Sequence, residues 1–277
     1  MTYNQSKLVY WILERESIRH AKDLGAQAPW SLDPIMQSVY FCNVDREDDK
    51  VTKWIRKNWS NGWELDANHT LTAVVARVFN LPSTLEIIGK PCDYTDWFTR
   101  TPKQLRDCMI RDKRIFNGAY MVTTASKKVD KIDFFMHSFK TLESKGDILQ
   151  DCSTLAQAHK KLMTVDGIGS FLAAQVVADL KNTEDHPLSR AADWRTFSAF
   201  GPGSLKGLSW FWGKPVTAKD YQKALQSCFD QIYLELPEDL LAVLCMQNFQ
   251  NCLCEYDKYM RVLNGKGRSK RNYNGRN

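Results

Sequence analysis

Apolar residues recur at helical spacing along most of this chain, and that periodicity restricts the fold more than any other feature. In the segment NHTLTAVVARVFN, residues 68–80, apolar side chains fall at i, i+3, i+4, i+7 and i+8, which forms one broad apolar face on a helix. Asn68 or Thr70 can cap the start of this helix, and Leu81-Pro82 ends it. Because no alternating stretch is long enough to build a sheet, the sequence predicts an all-α fold.

The charge of the chain is concentrated at its C-terminal end. Seven of the 38 basic residues lie from Lys258 onward, where there is no acidic residue, so the remainder is close to neutral although the whole chain carries +6. We therefore predict a helical domain over 1–257, in one body or two lobes, with a helical hairpin near 153–181. The segment 258–277 is predicted to be a basic tail that attracts phosphate backbones without reading sequence.

Several classes of protein and site are disfavoured by composition and spacing. No apolar run approaches the ~20 residues that span a bilayer, and the charged first segment is unlike a signal peptide, so no membrane partner is expected. Eight scattered cysteines favour free thiols. Cys245, Cys252 and Cys254 lack the fourth nearby thiolate that an iron–sulfur cluster needs, and the five histidines are dispersed. No cofactor is evident, and no metal site is predicted.

The stretch TVDGIGSFLAAQVVADLK, residues 164–181, predicts a tight turn between two helices. Gly167 and Gly169 suit a close backbone approach, and Ile168 can fill the turn with an apolar side chain. The backbone N–H groups near Gly169 and Ser170 then point outward at the start of the second helix, where they can bind an anion. An ordinary helix connection is the alternative.

An aspartate follows this turn in AADWRTFSAFG. The hairpin resembles the helix-hairpin-helix of DNA repair proteins, and in the helix-hairpin-helix DNA glycosylase superfamily an aspartate begins the next helix at about this distance. The resemblance implies a glycosylase-like helical fold, a catalytic role for Asp193, and DNA contacts from the hairpin residues with Arg195 and Lys206. Where the glycosylase consensus carries a histidine, this chain has Arg195-Thr196. The alternative role for Asp193 is to cap a helix over WRTFSAF.

Four further stretches are dense in polar and aromatic residues, at 28–55, 114–122, 193–208 and 250–268. In that order they resemble the phage α-glutamyl/putrescinyl thymine pyrophosphorylases, also called amino acid:DNA transferases. The same helical module accompanies phage 5-hydroxymethyluridine DNA kinases. The resemblance covers about residues 10–270 and implies thymine hypermodification in the cytoplasm of an infected bacterial host.

The implied reaction joins an amine to the 5-methylene carbon of a (pyro)phosphorylated 5-hydroxymethyluracil in DNA and releases (pyro)phosphate. The implied partners are DNA that contains this activated base, an amino acid or polyamine donor, and a DNA kinase. The reaction needs an anion site, a base for the incoming ammonium and a pocket for an extruded nucleobase. The residues that the resemblance suggests for substrate or leaving-group binding are Asn43, Arg46, Asp49, Asn117, Tyr120, Glu255 and Lys258.

The identity of the general base stays open at this point, because Asp33, Asp49 and Glu255 compete with Asp193. Trp30 or Trp194 could stack on the base, and the run GPGS at 201–204 could form a backbone nest for phosphate or only a turn.

Two other functions remain open. One is a base-excision glycosylase, and the other is a non-catalytic DNA-binding partner of a 5-hydroxymethyluridine DNA kinase. These residues contain no GxxxxGK[ST] loop, so they do not supply a P-loop kinase site.

Overall fold

The structure is a computed structural model that describes residues 2–60, 68–118, 120, 122–124 and 126–266. All regular elements in the described residues are helical, and these ranges contain no β-strand, so the all-α prediction is confirmed. The chain divides into two compact units, Met1–Asp49 with Ser198–Asn277, and Lys50–Phe197. None of the described helices is both long and apolar enough to cross a bilayer.

The first unit is assembled from both ends of the chain. Its core joins the apolar faces of its helices, which include the buried Trp11, Phe211, Phe249 and Tyr256. A short 3₁₀ turn, Arg46–Asp48, precedes its boundary with the second unit. The helices are α1 (Tyr3–Asp23), α2 (Pro34–Ser38), α10 (Pro202–Trp212), α11 (Tyr221–Ile232), α12 (Glu238–Val243) and α13 (Met246–Leu263).

The second unit is continuous in sequence and is organised around one buried helix. Its helices are α3 (Lys50–Ile55), α4 (His69–Phe79), α5 (Pro82–Ile88), α6 (Tyr94–Ile110), α7 (Lys131–Ser144), α8 (Leu155–Leu162) and α9 (Ser170–Lys181). A π-helical turn, Arg56–Ser60, follows α3. Every residue of α4 from Thr70 onward is buried.

The predicted start and end of α4 are confirmed, but its environment differs from the prediction. Asn68 caps the helix by accepting the N–H of Leu71 at 2.8 Å, and Asn80 ends it in the left-handed conformation. The sequence predicted a single apolar face, whereas the helix is enclosed on all sides. The buried guanidinium of Arg77 is therefore paired with the buried carboxylate of Asp179 on α9, because a buried charge without a partner is strongly unfavourable.

Two predicted boundaries are corrected by the structure. The predicted tail from Lys258 onward begins inside α13, which continues to Leu263 because Tyr259 and Met260 are buried against the core. Residues 267–277, which make up the rest of that predicted tail, lie outside the described residues. The helix predicted over WRTFSAF is instead a run of turns, in which the Asp193 carbonyl accepts the N–H of Phe197 at 2.8 Å.

The most extensive helix–helix contact in the first unit is between α10 and α13, and it depends on two glycines one turn apart. A Cβ atom at Gly203 would lie 2.4 Å from the Cys254 sulfur, and one at Gly207 would lie 2.1 Å from the Leu253 carbonyl oxygen. Only glycine lets the two backbones approach this closely. The contact fixes the position of α13 against α10.

We expect Gly207→Ala to destabilise the protein by about 3 kcal/mol or more, because the new methyl group overlaps a backbone oxygen that cannot rotate away. Chemical denaturation followed by circular dichroism measures the change. Lys206→Ala, on the exposed side of the same helix, is the matched control and should shift stability by no more than ~0.5 kcal/mol. Equal stability of the two variants would contradict the close contact.

Candidate functional site

The turn between α8 and α9 has the tight geometry that its glycines predict. Gly167 adopts φ +81°, and a Cβ atom there would lie 2.7 Å from a ring carbon of Phe134 and 2.8 Å from one of Phe135. The Ile168 side chain is buried, so it fills the turn and leaves only its backbone for a ligand. Among the residues predicted to bind nucleic acid, Ile168 is therefore a structural residue.

The N-terminus of α9 is capped by Gly169, which contributes no side-chain hydrogen bond. The first turn of the helix also carries no acidic residue. The N–H groups of a first helical turn have no intrahelical acceptor, and the helix dipole adds positive potential at this end. Ser170 lies here, with His159 Nε2 3.0 Å from its carbonyl oxygen. This end of α9 can bind a phosphate.

Asp193 lies beside the hairpin, but its carboxylate contacts the first hairpin helix. Its two oxygens accept the backbone N–H groups of Leu155 at 2.6 Å and Ala156 at 3.0 Å. Thr154 and Gln157 complete this helix start with a reciprocal capping box. The carboxylate is thus engaged in holding α8, and its catalytic role stays a prediction.

Two aromatic residues adjoin the N-terminal end of α9. Phe171, in the first turn, is 52% exposed, and its ring meets that of Tyr120 edge-on at 4.9 Å. The Tyr120 hydroxyl donates to Gln175 on the same helix at 3.1 Å. Sequence reasoning missed Phe171, although an aromatic residue directly after a glycine turn is a detectable signal.

Three further predicted binding residues, Arg195, Lys206 and Asn117, are divided between the two units. Arg195 is exposed in the turn after Asp193, whereas Lys206 is exposed on α10 of the first unit. Asn117 belongs to the second unit, where its side-chain amide donates to the Asn80 carbonyl at 2.8 Å and its backbone N–H donates to that of Phe79 at 2.9 Å. The amide of Asn117 therefore supports the end of α4.

Five predicted substrate residues, Asn43, Arg46, Asp49, Glu255 and Lys258, all belong to the first unit. Four of them form a network with Arg15 that is connected through the backbone of Cys42, which accepts from Arg15 and donates to Glu255. We call the five residues Arg15, Asn43, Asp49, Glu255 and Lys258 the Asp49 cluster. The Asn43 N–H donates to Asp49 Oδ1 at 3.0 Å, and Lys258 Nζ donates to Glu255 Oε2 at 2.7 Å. Arg15 Nη2 donates to Asn43 Oδ1. The network joins α1, α13 and the loop between α2 and the 3₁₀ turn.

Arg15 was not predicted from the sequence. It is 8% exposed on α1, its Nε donates to the Cys42 carbonyl at 3.0 Å, and its Nη1 is buried without a hydrogen-bond partner among the described residues. A charged residue at helical spacing from the buried Trp11 and Ile18 was the signal available in the sequence.

The electrostatics of the cluster centre on the Asp49 carboxyl group. Burial raises its pKa to about 6, and this effect outweighs the opposing influence of the Asn43 N–H and of the Arg46 and Arg15 guanidinium groups. Arg46 is itself buried and donates to Glu47 at 3.0 Å. A carboxyl group with a pKa near neutrality, close to several cations, can exchange a proton at physiological pH.

Other candidates for the general base have structural partners. Asp33 caps α2 through Oδ1, while its Oδ2 accepts the hydroxyl groups of Tyr259 at 2.8 Å and Tyr10 at 3.2 Å. Glu255 binds the Cys42 N–H at 3.1 Å as well as Lys258. Desolvation raises the pKa of the Asp49 carboxyl group to about 6, which suits it to proton transfer near neutral pH.

The two tryptophans predicted to stack on a base and the GPGS run predicted to hold phosphate lie in different surroundings. Trp30 lines a pocket in the first unit, whereas Trp194 lies under the Lys181 ammonium at 4.3 Å and donates to the Lys181 carbonyl. The GPGS run is neither a nest nor a free turn. Gly201 caps α10, Pro202 is its first residue, and the buried Ser204 hydroxyl contacts the Tyr221 hydroxyl at 2.8 Å.

The described residues contain no group of three or more metal-ligating side chains arranged to hold an ion. The thiols of Cys228 and Cys252 are buried, and burial raises their pKa well above the ordinary value. Cys245 is also buried, and Cys254 is half-buried. These thiols pack as apolar groups in the core.

Comparison with known proteins gives a family for this chain. Residues 2–269 match the family described as 5-hmdU DNA kinase, helical domain. The chain belongs to this family. A curated relative, the 5-hmdU DNA kinase of Bacillus phage SP10, is 24% identical over 220 residues, which cover 72% of this chain and 34% of the relative. The chain thus spans about a third of that kinase's length. No solved structure matches the chain.

We expect Asp193→Asn to loosen the start of α8. An amide has one acceptor oxygen where the carboxylate has two, so either the Leu155 or the Ala156 N–H loses its partner. Hydrogen exchange at that amide should accelerate roughly 5- to 10-fold, in line with the ~1 kcal/mol of a lost cap. Asp151→Asn, an exposed neighbour, is the control. Unchanged protection at both amides would contradict the capping role.

We expect Asp49 to make stability fall as pH rises from 3.8 towards about 6. Its folded pKa is raised above the ordinary value of 3.8, so in this window the folded state retains a proton that the unfolded state has released. Asp49→Asn cannot titrate, so its stability relative to the parent should increase across the window and then level off. Urea denaturation at several pH values measures this. The exposed Asp239→Asn should give a flat difference; a flat difference for Asp49→Asn would refute the raised pKa.

Proposed function

We propose that this chain modifies thymine-derived bases in phage DNA by amine transfer. The substrate is DNA that contains a (pyro)phosphorylated 5-hydroxymethyluracil, and the donor is an amino acid or a polyamine. Membership of the 5-hmdU DNA kinase helical-domain family supports a role in this modification chemistry. Amine transfer itself rests on the Asp49 cluster.

The observation that carries this proposal is a half-buried carboxyl group whose pKa is raised by desolvation to about 6 although two cations lie close to it. Asp49 is bonded through Asn43 to Arg15, and it also experiences the charge of Arg46. A base of this pKa can take a proton from an ammonium group near neutral pH. The neighbouring cations, with Lys258, can stabilise the charge that develops on a departing (pyro)phosphate.

The reaction balances with these groups alone. The donor enters as an ammonium ion and gives one proton to the Asp49 carboxylate. Its nitrogen lone pair then forms a bond to the 5-methylene carbon, and the bond between that carbon and the phosphate oxygen breaks. The leaving (pyro)phosphate takes the bonding electron pair. The product is a secondary ammonium on the base, and Asp49 returns its proton to solvent.

In this proposal the hairpin of the second unit binds the DNA backbone through the N-terminus of α9. Asp193 holds the hairpin through its two hydrogen bonds to α8, and Asp49 replaces it as the base. The exposed Phe171 and the half-buried Tyr120 beside it are the aromatic residues of the turn that are placed to contact nucleobases.

A second function is favoured by the family match. The relative from Bacillus phage SP10 is named a kinase, and this chain matches only 34% of it, so the helical domain could serve as the DNA-binding partner of a kinase. A binding domain of this kind needs no base. It would retain DNA affinity in every Asp49 variant and show no chemistry of its own.

The test incubates the protein with duplex DNA carrying one 5-(pyrophosphomethyl)- or 5-(phosphomethyl)deoxyuridine and with amino acids or putrescine as donors. Nucleoside mass spectrometry then detects the amine adduct. We expect an adduct with the parent protein and a loss of at least about 100-fold in rate for Asp49→Asn, as for removal of a general base. Asp239→Asn should retain the parent rate.

The variant Asp193→Asn distinguishes the role of Asp193 from that of Asp49. If Asp193 acts only through the hairpin, its variant should raise KM for DNA more than it lowers kcat. A complete loss of kcat in Asp193→Asn with normal activity in Asp49→Asn would reverse the assignment. DNA binding by the parent without any adduct would favour the kinase-partner function, and free base release would favour a glycosylase.

A further inference from the structure

The first unit contains a pocket of about 400 Å³, and of its lining residues the proposed reaction uses only Arg15. The pocket is lined by residues of α1, of the loop that follows it, of α2 and of the segment 39–41. The side chains that characterise it are Arg15, Lys22, Trp30, Gln37, Tyr40 and Phe41. Its lining thus combines two cations with three aromatic rings and, within the described residues, contains no acidic side chain.

The charge of the pocket is held in place by its surroundings. Lys22 Nζ lies 4.4 Å from the centre of the Trp30 ring, and the Trp30 indole N–H is fixed to the Ala26 carbonyl at 2.6 Å. At the inner wall, Arg15 is 8% exposed and one of its terminal nitrogens, Nη1, has no partner among the described residues. A buried guanidinium with an unused donor is costly unless an anion or another acceptor reaches it.

We propose that this pocket binds one phosphorylated pyrimidine nucleotide, with the ring among Trp30, Tyr40 and Phe41 and an anionic group at Arg15 and Lys22. Its volume lies within the ~300–1,000 Å³ of pockets that enclose drug-sized ligands, which a nucleotide fills and a free amino acid does not. Aromatic rings stack on nucleobases of any sequence, and guanidinium groups bind phosphate through paired donors.

This inference rests on the proposed function in one respect, which is the identity of the nucleotide. Arg15 belongs both to the pocket wall and to the Asp49 cluster, because its Nη2 donates to Asn43 and the Asn43 N–H donates to Asp49. A phosphate at Arg15 would therefore lie two residues along a hydrogen-bonded chain from the proposed base. The nucleotide can come from solution or be extruded from DNA, and the two sources require separate probes.

The test measures the binding of two probes by titration calorimetry. One is free 5-(phosphomethyl)deoxyuridine monophosphate, and the other is a 12-nucleotide duplex with the same residue at its centre. Lys22→Met and Trp30→Ala should each lower the binding affinity of the probe that uses the pocket by about tenfold. A change of this size corresponds to the loss of one charged hydrogen bond or one stacked ring. Lys22→Arg and Trp30→Phe should restore affinity to within about threefold of the parent.

Lys7→Met is the matched control, because Lys7 lies on the same helix α1 and covers the Tyr10 ring at 5.1 Å outside the pocket. It should leave the affinity unchanged. Affinities for both probes within twofold of the parent in Lys22→Met and Trp30→Ala, with intact circular dichroism, would overturn the proposal.

If these two variants lose affinity for the duplex alone, DNA is the source of the nucleotide. If they lose affinity for both probes, the pocket is a nucleotide site open to solution. If the parent protein shows no amine transfer but the two variants still lose probe affinity, the proposed function fails and the pocket proposal stands. If transfer proceeds with an unchanged KM in both variants, the pocket proposal fails and the function remains.

Discussion

The close approach of α10 and α13 is the contact on which the first unit and its polar cluster depend. Gly203 and Gly207 bring the two backbones together at Cys254 and Leu253. Glu255 and Lys258 follow directly on α13, so the separation of the two helices also sets where these charges lie. Packing of this kind determines site geometry more firmly than the polar contacts do, because a backbone overlap cannot be relieved by side-chain rotation.

Burial acts on the two types of charge in the Asp49 cluster in opposite ways. It raises the pKa of the Asp49 carboxyl group to about 6 and lowers the pKa of the Arg15 guanidinium from its usual value. In both cases desolvation disfavours the charged form. Asp49 therefore has its midpoint of protonation near pH 6 and is mostly a carboxylate at neutral pH, while Arg15 stays charged because the ordinary pKa of a guanidinium is far higher. The same physical cause thus yields a proton acceptor and a permanent cation side by side.

The sequence was most informative where a local pattern decides the outcome. Helical periodicity and an asparagine cap located α4, and two glycines around Ile168 located the hairpin turn. A family resemblance also pointed to four of the five residues of the Asp49 cluster, Asn43, Asp49, Glu255 and Lys258. It failed where long-range contacts decide. Proline favours the first turn of a helix, yet α6 begins at Tyr94 and continues through Pro102, because the Asp93 cap and the buried Trp97 hold the earlier turn. Arg15 has no motif, since its partners lie 27 and 28 residues away.

The placement of Asp193 makes the two helices of the hairpin electrostatically unequal. The N-terminus of α8 is neutralised internally by the Asp193 carboxylate and the Thr154 capping box. That of α9 has a glycine cap and no acidic residue in its first turn. Of these two helix ends, only that of α9 keeps its positive end uncompensated by a carboxylate. In the proposed DNA complex the internal carboxylate would thus direct a phosphate to α9 without touching the ligand.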